Sequence, residues 1–151
     1  MLAKTHIREI DWHDLPAIMS IEQASHILAW PQDHFHSALR SNNVCWCIEQ
    51  AGKLRAYCIL LPAVDNLEIL NITVAPDDRR QGYARQLLNA ASQYARAHGL
   101  QQLLLEVRQS NHIAQLTYQQ FGFIEISRRH NYYPLTVGRE DAVVMAYPIT
   151  P

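Results

Sequence analysis

Apolar and polar positions alternate along this chain with two periods, and the stretch 70–95 shows both of them most clearly. An apolar, β-branched run ends at Ala75-Pro76, and a polar turn follows over 77–82. Beyond the turn, apolar residues recur at the spacing of one helix face, which is the pattern of an amphipathic helix: Ala84, Leu87, Leu88, Ala91 and Ala95. The stretch therefore predicts a strand, a tight turn and a helix.

The same two periods predict the elements that precede this stretch. Asp11 to Asp14 offer helix caps, and Leu15, Ile18, Met19 and Glu22 share one face of the helix that follows, which Ala29-Trp30-Pro31 would break. Glu22 on that face is expected to be a surface glutamate rather than a contact of a bound peptide. The other predicted elements are a strand over 5–10, a helix over 33–39, a hairpin of strands 44–49 and 54–61 joined by 50–53, and a strand over 67–74.

After the helix, which Gly99 should end, the run 101–107 is apolar on both faces and predicts a central strand. A short helix over 111–121 ends at Gly122, and strands 123–129 and 142–147 flank a long segment, 130–141, that is expected to be a loop. The resulting order is β-α-α-β-β-β-α-β-α-β-β. We therefore predict an α/β fold, a mixed (α+β) sheet flanked by helices, in a single domain over 1–151.

Composition and charge restrict the functions that this domain could have. A chain of 151 residues can bury one core, and its net charge of −1 produces no global attraction to nucleic acid or membrane. No apolar run approaches a membrane span, and the first residues lack the core of a signal peptide. Three cysteines cannot all pair. These features predict a cytoplasmic protein with free thiols.

The polar turn is the first candidate for chemistry. Gly82 lies where the chain must bend, and Arg79 and Arg80 stand beside the start of the helix. The first N–H groups of a helix have no partner within it, and the positive end of the helix dipole attracts anions. The turn predicts a site for a phosphate-bearing ligand, although either arginine alone is more often a solvated surface charge.

At 79–84 the sequence Arg-Arg-Gln-Gly-Tyr-Ala resembles the Arg/Gln-x-x-Gly-x-Gly/Ala motif of the GNAT acetyltransferases, with Ala84 in place of the commoner glycine. Further likeness covers essentially the whole chain and is to the bacterial ribosomal-protein-alanine N-acetyltransferases, the RimI group. It rests on Trp30-Pro31, Leu-Glu-Val-Arg at 105–108, Asn111, Tyr118, Phe-Gly-Phe at 121–123, Asn-Tyr-Tyr-Pro at 131–134 and Arg-Glu-Asp-Ala at 139–142. The resemblance implies a GNAT-like fold and acetyl-CoA as co-substrate.

The resemblance also implies which residues hold acetyl-CoA. Backbone N–H groups of the turn would surround the pyrophosphate, and the strand before it would pair with the pantetheine arm and offer an N–H to the thioester oxygen. Asn111 would bond near the pantetheine. The implied cofactor-binding residues are Ile72, Thr73, Val74, Arg80, Gln81, Gly82, Tyr83, Ala84, Arg85 and Asn111.

Glu106 and Tyr118 are the candidate catalytic pair. Glu106 ends an apolar strand, where partial desolvation disfavours the charged carboxylate and suits a general base. The alternative is an ion pair with an arginine such as Arg108. Asn111, Ala114 and Tyr118 are spaced to share a helix face, and the resemblance implies that Tyr118 protonates the departing thiolate. The alternative for Tyr118 is a core aromatic.

The acceptor is predicted from the same resemblance. It implies that Tyr132 and Tyr133 lie over the peptide end, although aromatic residues of a loop can equally close the edge of a core. An α-amine titrates near ~8 and a lysine near ~10.4, so one modest base suffices for an N-terminus near neutral pH. The favoured partner is the N-terminus of a ribosomal protein or peptide, with alanine as its first residue.

Two other functions stay open at this point. The same chemistry could act on a lysine or a small amine, or the chain could be a non-catalytic module whose Arg79-Arg80 pair docks on ribosomal RNA. The absence of a wider basic stripe disfavours direct nucleic-acid binding. No metal site is predicted, because the histidine pair of 34–36 lacks zinc-ligand spacing.

Overall fold

The computed structural model describes residues 6–151, and its helices and strands follow the predicted order. Thr5, the first residue of the predicted strand 5–10, lies outside the described residues. The elements are β1 His6–Glu9, α1 Leu15–Ser25, α2 Gln32–Arg40, β2 Val44–Gln50, β3 Lys53–Ala63, β4 Asn66–Val74, α3 Tyr83–Ala97, β5 Gln102–Arg108, α4 His112–Phe121, β6 Ile124–Pro134 and β7 Arg139–Pro148.

Seven strands form one mixed sheet in the order β1-β2-β3-β4-β5-β7-β6, which confirms the predicted α/β fold class. Contacts divide the chain into two compact units. The first holds the described residues up to Pro62 together with Leu70–Ala90, and the second holds Ala63–Ile69 together with Ala91–Pro151. No helix within 6–151 combines the length and the apolar character that crossing a bilayer requires.

In the first unit, a capping box fixes the 3-10 turn Trp12–Asp14 that leads into α1. The Asp11 carboxylate accepts from the N–H of His13 at 2.9 Å, and the Asp14 carboxylate accepts from the N–H of Asp11 at 2.7 Å. The apolar face of α1 then packs into a core that includes Ile10, Leu15, Ile18, Phe35, Ala38, Cys45, Cys47, Leu54, Tyr57 and Ile59. The three cysteines are free and buried, as predicted.

Helix α1 ends earlier than the predicted break at 29–31. His26 adopts an extended conformation, with φ −127° and ψ 140°, and its N–H donates to the Glu22 carbonyl at 3.2 Å. The N–H of Trp30 donates to the Glu22 carboxylate at 2.9 Å. The connection between α1 and α2 is therefore folded back onto a side chain of α1.

In the second unit, β5 is a central strand, as its apolar sequence predicts. It pairs in parallel with β4 from Asn66↔Gln102 to Ile69↔Leu105, and antiparallel with β7 along its whole length. Leu103, Leu105 and Val107 are buried on one face, while Leu104 and Glu106 are half-buried on the other. This is the alternation expected of a strand.

The predicted loop over 130–141 is wrong, because β6 continues to Pro134 and β7 begins at Arg139. The two strands bulge between Arg129 and Tyr133, where Asn131 takes a φ of +51°. Its N–H donates to the Asp141 carboxylate at 2.9 Å, and Arg139 donates to the carbonyls of Asn131 at 2.7 Å and of Tyr132 at 2.8 Å. Side-chain hydrogen bonds thus hold a bulged hairpin where the sequence indicated irregular chain.

Candidate active site

The turn between β4 and α3 has the backbone shape that an anion site needs. Arg80 and Gly82 have φ values of +65° and +84°, and α3 begins directly afterwards at Tyr83. Arg80, Gln81 and Gly82 are exposed, and the Gly82 carbonyl accepts from the N–H of Gln86 at 3.0 Å. The left-handed conformation of Arg80 costs about 1–2 kcal/mol, so the surrounding structure must hold the turn.

Three contacts in the first unit hold this turn, and the sequence pattern indicated none of them. The N–H of Ala75 donates to the Arg55 carbonyl at 2.8 Å, and the Arg55 guanidinium donates to the buried Asp78 carboxylate at 2.9 Å. At the other end, the hydroxyl of Tyr83 donates to the side-chain oxygen of Gln50. The turn is anchored on both sides, which leaves its N–H groups pre-oriented.

The strand before the turn presents different residues to its two faces. Thr73 and Asn71 have buried side chains, and the Thr73 hydroxyl donates to the Asn71 amide oxygen at 2.7 Å. Ile72 and Val74 point to the opposite face and are half-buried. Of the three strand residues assigned to acetyl-CoA, Thr73 thus engages the protein interior with its side chain.

Glu22 contradicts the expectation of a surface glutamate, since only 1% of it is exposed. One carboxylate oxygen, Oε1, accepts from the Tyr57 hydroxyl at 2.5 Å and from the Asn71 amide at 3.0 Å. The other, Oε2, accepts from the N–H of Trp30. A carboxylate without solvent needs such donors, and here they come from β3, from β4 and from the chain beyond α1.

Glu106 forms the ion pair considered for it, but with a different arginine. Its Oε1 lies 2.7 Å from Nε of Arg129 on β6, and 27% of the Glu106 side chain is exposed. Arg108 instead donates to Glu140 at 3.0 Å. The pKa of Tyr132 is raised, first by the negative charge of Glu106 and then by burial and by a hydrogen bond to Glu106. The carboxylate therefore faces a cation and a phenol from the bulged hairpin.

Tyr118 is half-buried on α4 and packs against Phe123, with their ring centroids 5.7 Å apart. Burial and then the neighbouring Tyr133 raise the pKa of Tyr118, so its phenol stays protonated near neutral pH. The pKa of Tyr133 is raised to about 12, chiefly by burial and then by the Glu106 charge. Arg108 lies 4.6 Å from the centre of the Tyr133 ring.

Asn111 is the residue before α4, and its side-chain oxygen accepts from the N–H of Ala114 at 3.2 Å. This is the ordinary action of an N-cap. Among residues 6–151, no group of three or more histidine, cysteine, aspartate or glutamate side chains could hold a metal ion.

The sequence analysis did not single out Arg129, and it named Glu140 only as part of the motif at 139–142, without a partner. Glu140 accepts from Arg108, from the Ser110 hydroxyl at 3.0 Å and from the Ser110 N–H at 3.3 Å, which ties the hairpin to the end of β5. Burial opposes its charge, but these hydrogen bonds outweigh that effect and hold the pKa of Glu140 below its usual value. Both residues lie in the segment predicted as strand end and loop, where their partners depend on strand register.

Relatives of known function match nearly the whole length of this chain. A bS18-alanine N-acetyltransferase of Escherichia coli K12 is 40% identical over 144 residues, which is 95% of this chain and 97% of that protein. The corresponding protein of Haemophilus ducreyi is 36% identical over 93% of this chain and 97% of its own length.

Solved structures agree with these relatives. The crystal structure of the ribosomal-protein-S18-alanine N-acetyltransferase from E. coli superposes with a TM-score of 0.89 at 38% identity, covering 98% of this chain and 96% of that one. Ard1 from Thermoplasma volcanium, at 22% identity, shares the fold with a TM-score of 0.88 over 97% and 99% of the two chains. The model of the acetyltransferase (GNAT) family matches residues 5–123, and the chain belongs to that family.

Proposed function

We propose that this protein is an acetyl-CoA-dependent Nα-acetyltransferase that modifies the N-terminal residue, an alanine, of a ribosomal protein. The observation that carries the proposal is the 40% identity, over 95% of the chain, to an enzyme named for that acceptor. The whole chain then acts as one acetyltransferase domain, and its acceptor is a protein of the cytoplasm.

The turn and strand of the first unit would hold the donor. The exposed N–H groups around Arg80, Gln81, Gly82 and those of Tyr83, Ala84 and Arg85 at the start of α3 would bind the pyrophosphate. The backbone of Ile72, Thr73 and Val74 would pair with the pantetheine arm, and an N–H there would stabilise the oxyanion. Asn111 caps α4 with its oxygen, which leaves its amide N–H₂ group for the proposed contact near the pantetheine.

Glu106 and Tyr118 would supply the base and the acid. Glu106 would accept a proton from the attacking amine, and the hydroxyl of Tyr118 would give its proton to the departing thiolate. Within residues 6–151 the Tyr118 hydroxyl makes no hydrogen bond, so its proton is not committed to another group. Tyr132, which shares a hydrogen bond with Glu106, and Tyr133 would border the acceptor peptide.

A peptide panel tests the acceptor. Release of CoA is measured with peptides that differ only in their first residues, each with a free and a blocked N-terminus and with or without an internal lysine. We expect acetylation of free N-termini that begin with alanine. Acceptance of internal lysine with rejection of free N-termini would refute the proposed acceptor, and lack of any heat on titration with acetyl-CoA would refute the enzyme itself.

Two glycines offer a matched test of the donor site. Gly82 and Gly99 have φ values of +84° and +68°, and a Cβ added at either meets nothing within 4 Å. Both alanine variants should therefore lose about 1–2 kcal/mol of stability from backbone strain. Only Gly82→Ala places a methyl group in the proposed pyrophosphate site, and we expect about tenfold weaker acetyl-CoA binding for it alone. Equal binding by the two variants would place the pyrophosphate elsewhere.

A further inference from the structure

A chain of hydrogen bonds in the first unit leads from a surface histidine to the buried Glu22, and its direction is fixed. Nε2 of His26 lies 2.8 Å from the Thr73 hydroxyl oxygen. Thr73 has a single hydroxyl hydrogen and gives it to the Asn71 amide oxygen, which can only accept. The Thr73 oxygen must therefore accept from His26, so Nε2 of His26 carries a hydrogen.

The carboxylate of Glu22, at the end of these hydrogen bonds, independently fixes the direction in which they donate. The Asn71 amide nitrogen donates to Glu22, so the amide cannot be turned over without bringing its oxygen against the carboxylate. Nε2 of His26 is also 3.6 Å from Oε1 of Glu22. The other titratable group at this carboxylate is Tyr57, whose pKa is raised by burial and then by Glu22, so it stays neutral. A positive charge on His26 would thus meet a negative charge and no competing cation among these groups.

With Nε2 protonated, the remaining nitrogen of a neutral His26 is an acceptor. The chain of hydrogen bonds uses Nε2, which faces inward. The His26 side chain as a whole is 37% exposed. Within residues 6–151, Nδ1 of His26 forms no hydrogen bond. A carboxylate beside an imidazole whose tautomer is fixed by hydrogen bonding is the arrangement by which histidine acts as a general base.

Acetyl transfer to a protonated amine requires a group that can accept a proton from that amine. An acceptor R–NH₃⁺ loses two protons on becoming R–NH–acetyl, and the departing thiolate takes up only one. One proton must therefore leave the site to solvent. Thr73, which holds His26, lies between Ile72 and Val74 in the strand that is proposed to bind the thioester.

We propose that His26 is a second proton acceptor of the transfer reaction, a role that rests on the proposed function. Its Nδ1 takes a proton from the acceptor ammonium: the N–H bond breaks, the Nδ1–H bond forms, and the electron pair stays on the amine that then attacks. The imidazolium then passes its proton to water. Glu106 takes the second proton after the new C–N bond has formed. The C–S bond then breaks, and the departing thiolate takes up one proton to leave as the thiol.

Substitution of His26 by glutamine separates this role from a structural one. In His26→Gln the side-chain N–H₂ can still donate to Thr73, but no basic nitrogen is left. We expect about 10²-fold lower turnover with unchanged acetyl-CoA binding and thermal stability. His26→Ala should regain activity in proportion to added imidazole. His36→Gln, at a half-buried histidine of α2, is the control and should keep wild-type turnover. Wild-type turnover by His26→Gln, or no rescue by imidazole, would overturn the inference.

The inference and the proposed function fail in different ways. The His26 variants are compared on whichever amine the wild type acetylates, so a lysine acceptor would refute the proposed function and still decide the role of His26. A ¹⁵N NMR spectrum tests the tautomer without any turnover. We expect the Nε2–H form in the wild type, and an Nδ1–H form would overturn the inference even in an active enzyme.

Discussion

Substitutions of Glu22 measure how much its buried hydrogen-bond network contributes to the stability of the first unit. In Glu22→Gln the amide oxygen can occupy the Oε1 position, where it keeps the donors Tyr57 and Asn71. The amide N–H₂ then faces the N–H of Trp30, so one hydrogen bond to a charged acceptor is lost, at a cost of about 1.5–3 kcal/mol. Glu22→Leu leaves all three donors without an acceptor, at a cost of about 1–3 kcal/mol each, so it should destabilise more than Glu22→Gln.

Urea denaturation, followed by tryptophan fluorescence, measures these free energies of unfolding. The expected order of stability is wild type, Glu22→Gln, Glu22→Leu. Adding Tyr57→Phe to Glu22→Leu removes one of the orphaned donors, so the double variant should lose less than the sum of the single changes. If Glu22→Leu were as stable as the wild type, the network would contribute nothing, and an additive double variant would show that the Tyr57 hydroxyl does not depend on the carboxylate.

Three further predictions concern the candidate catalytic residues and Asp14. Glu106→Gln should lower turnover by about 10²–10⁴-fold with acetyl-CoA binding retained, and near-native initial rates would move the base elsewhere. Tyr118→Phe should lower turnover more than it weakens acetyl-CoA binding, as measured by titration calorimetry. Unchanged turnover would show that Tyr118 serves only in packing. The pKa of Asp14 is held below its usual value chiefly by a hydrogen bond from Arg8, so Asp14→Asn should cost stability at pH 7, and that difference should vanish as the pH falls below about 4. The effect is about 1 kcal/mol because Arg8 is more than a third exposed, and a pH-independent difference would contradict it.

Where a pattern depended on burial on one face, the sequence predicted the fold well. The α3 stripe of Leu87, Leu88, Ala91 and Ala95 is fully buried, and the alternation of β5 is as expected. The continuation of β6 past Arg129 could not be predicted in this way. Nearly every residue of β6 is exposed, because the strand lies at the edge of the sheet and neither of its faces is covered. Without a buried face, period-two alternation has no physical cause.

The sequence named the motif residues of the candidate site, but it did not predict their partners. The sequence placed Glu22 on the apolar face of α1, which is correct, and the expected exposure was wrong because its acceptors are satisfied from distant strands. Tyr57 and Asn71 are 35 and 49 residues away along the chain. Such pairs follow from sheet register and helix packing, which no local pattern contains.

The two carboxylates, Glu22 and Glu106, show why partners decide the roles. Glu106 is paired with Arg129, whose side chain is 59% exposed, and a single exposed ion pair contributes about 0–1 kcal/mol. An incoming amine can replace that partner at little cost, so Glu106 can exchange protons with a substrate. Glu22 is buried, and its carboxylate accepts from the buried side chains of Tyr57 and Asn71. It is therefore not exposed to a substrate, and in the proposed mechanism it acts only by orienting the imidazole of His26.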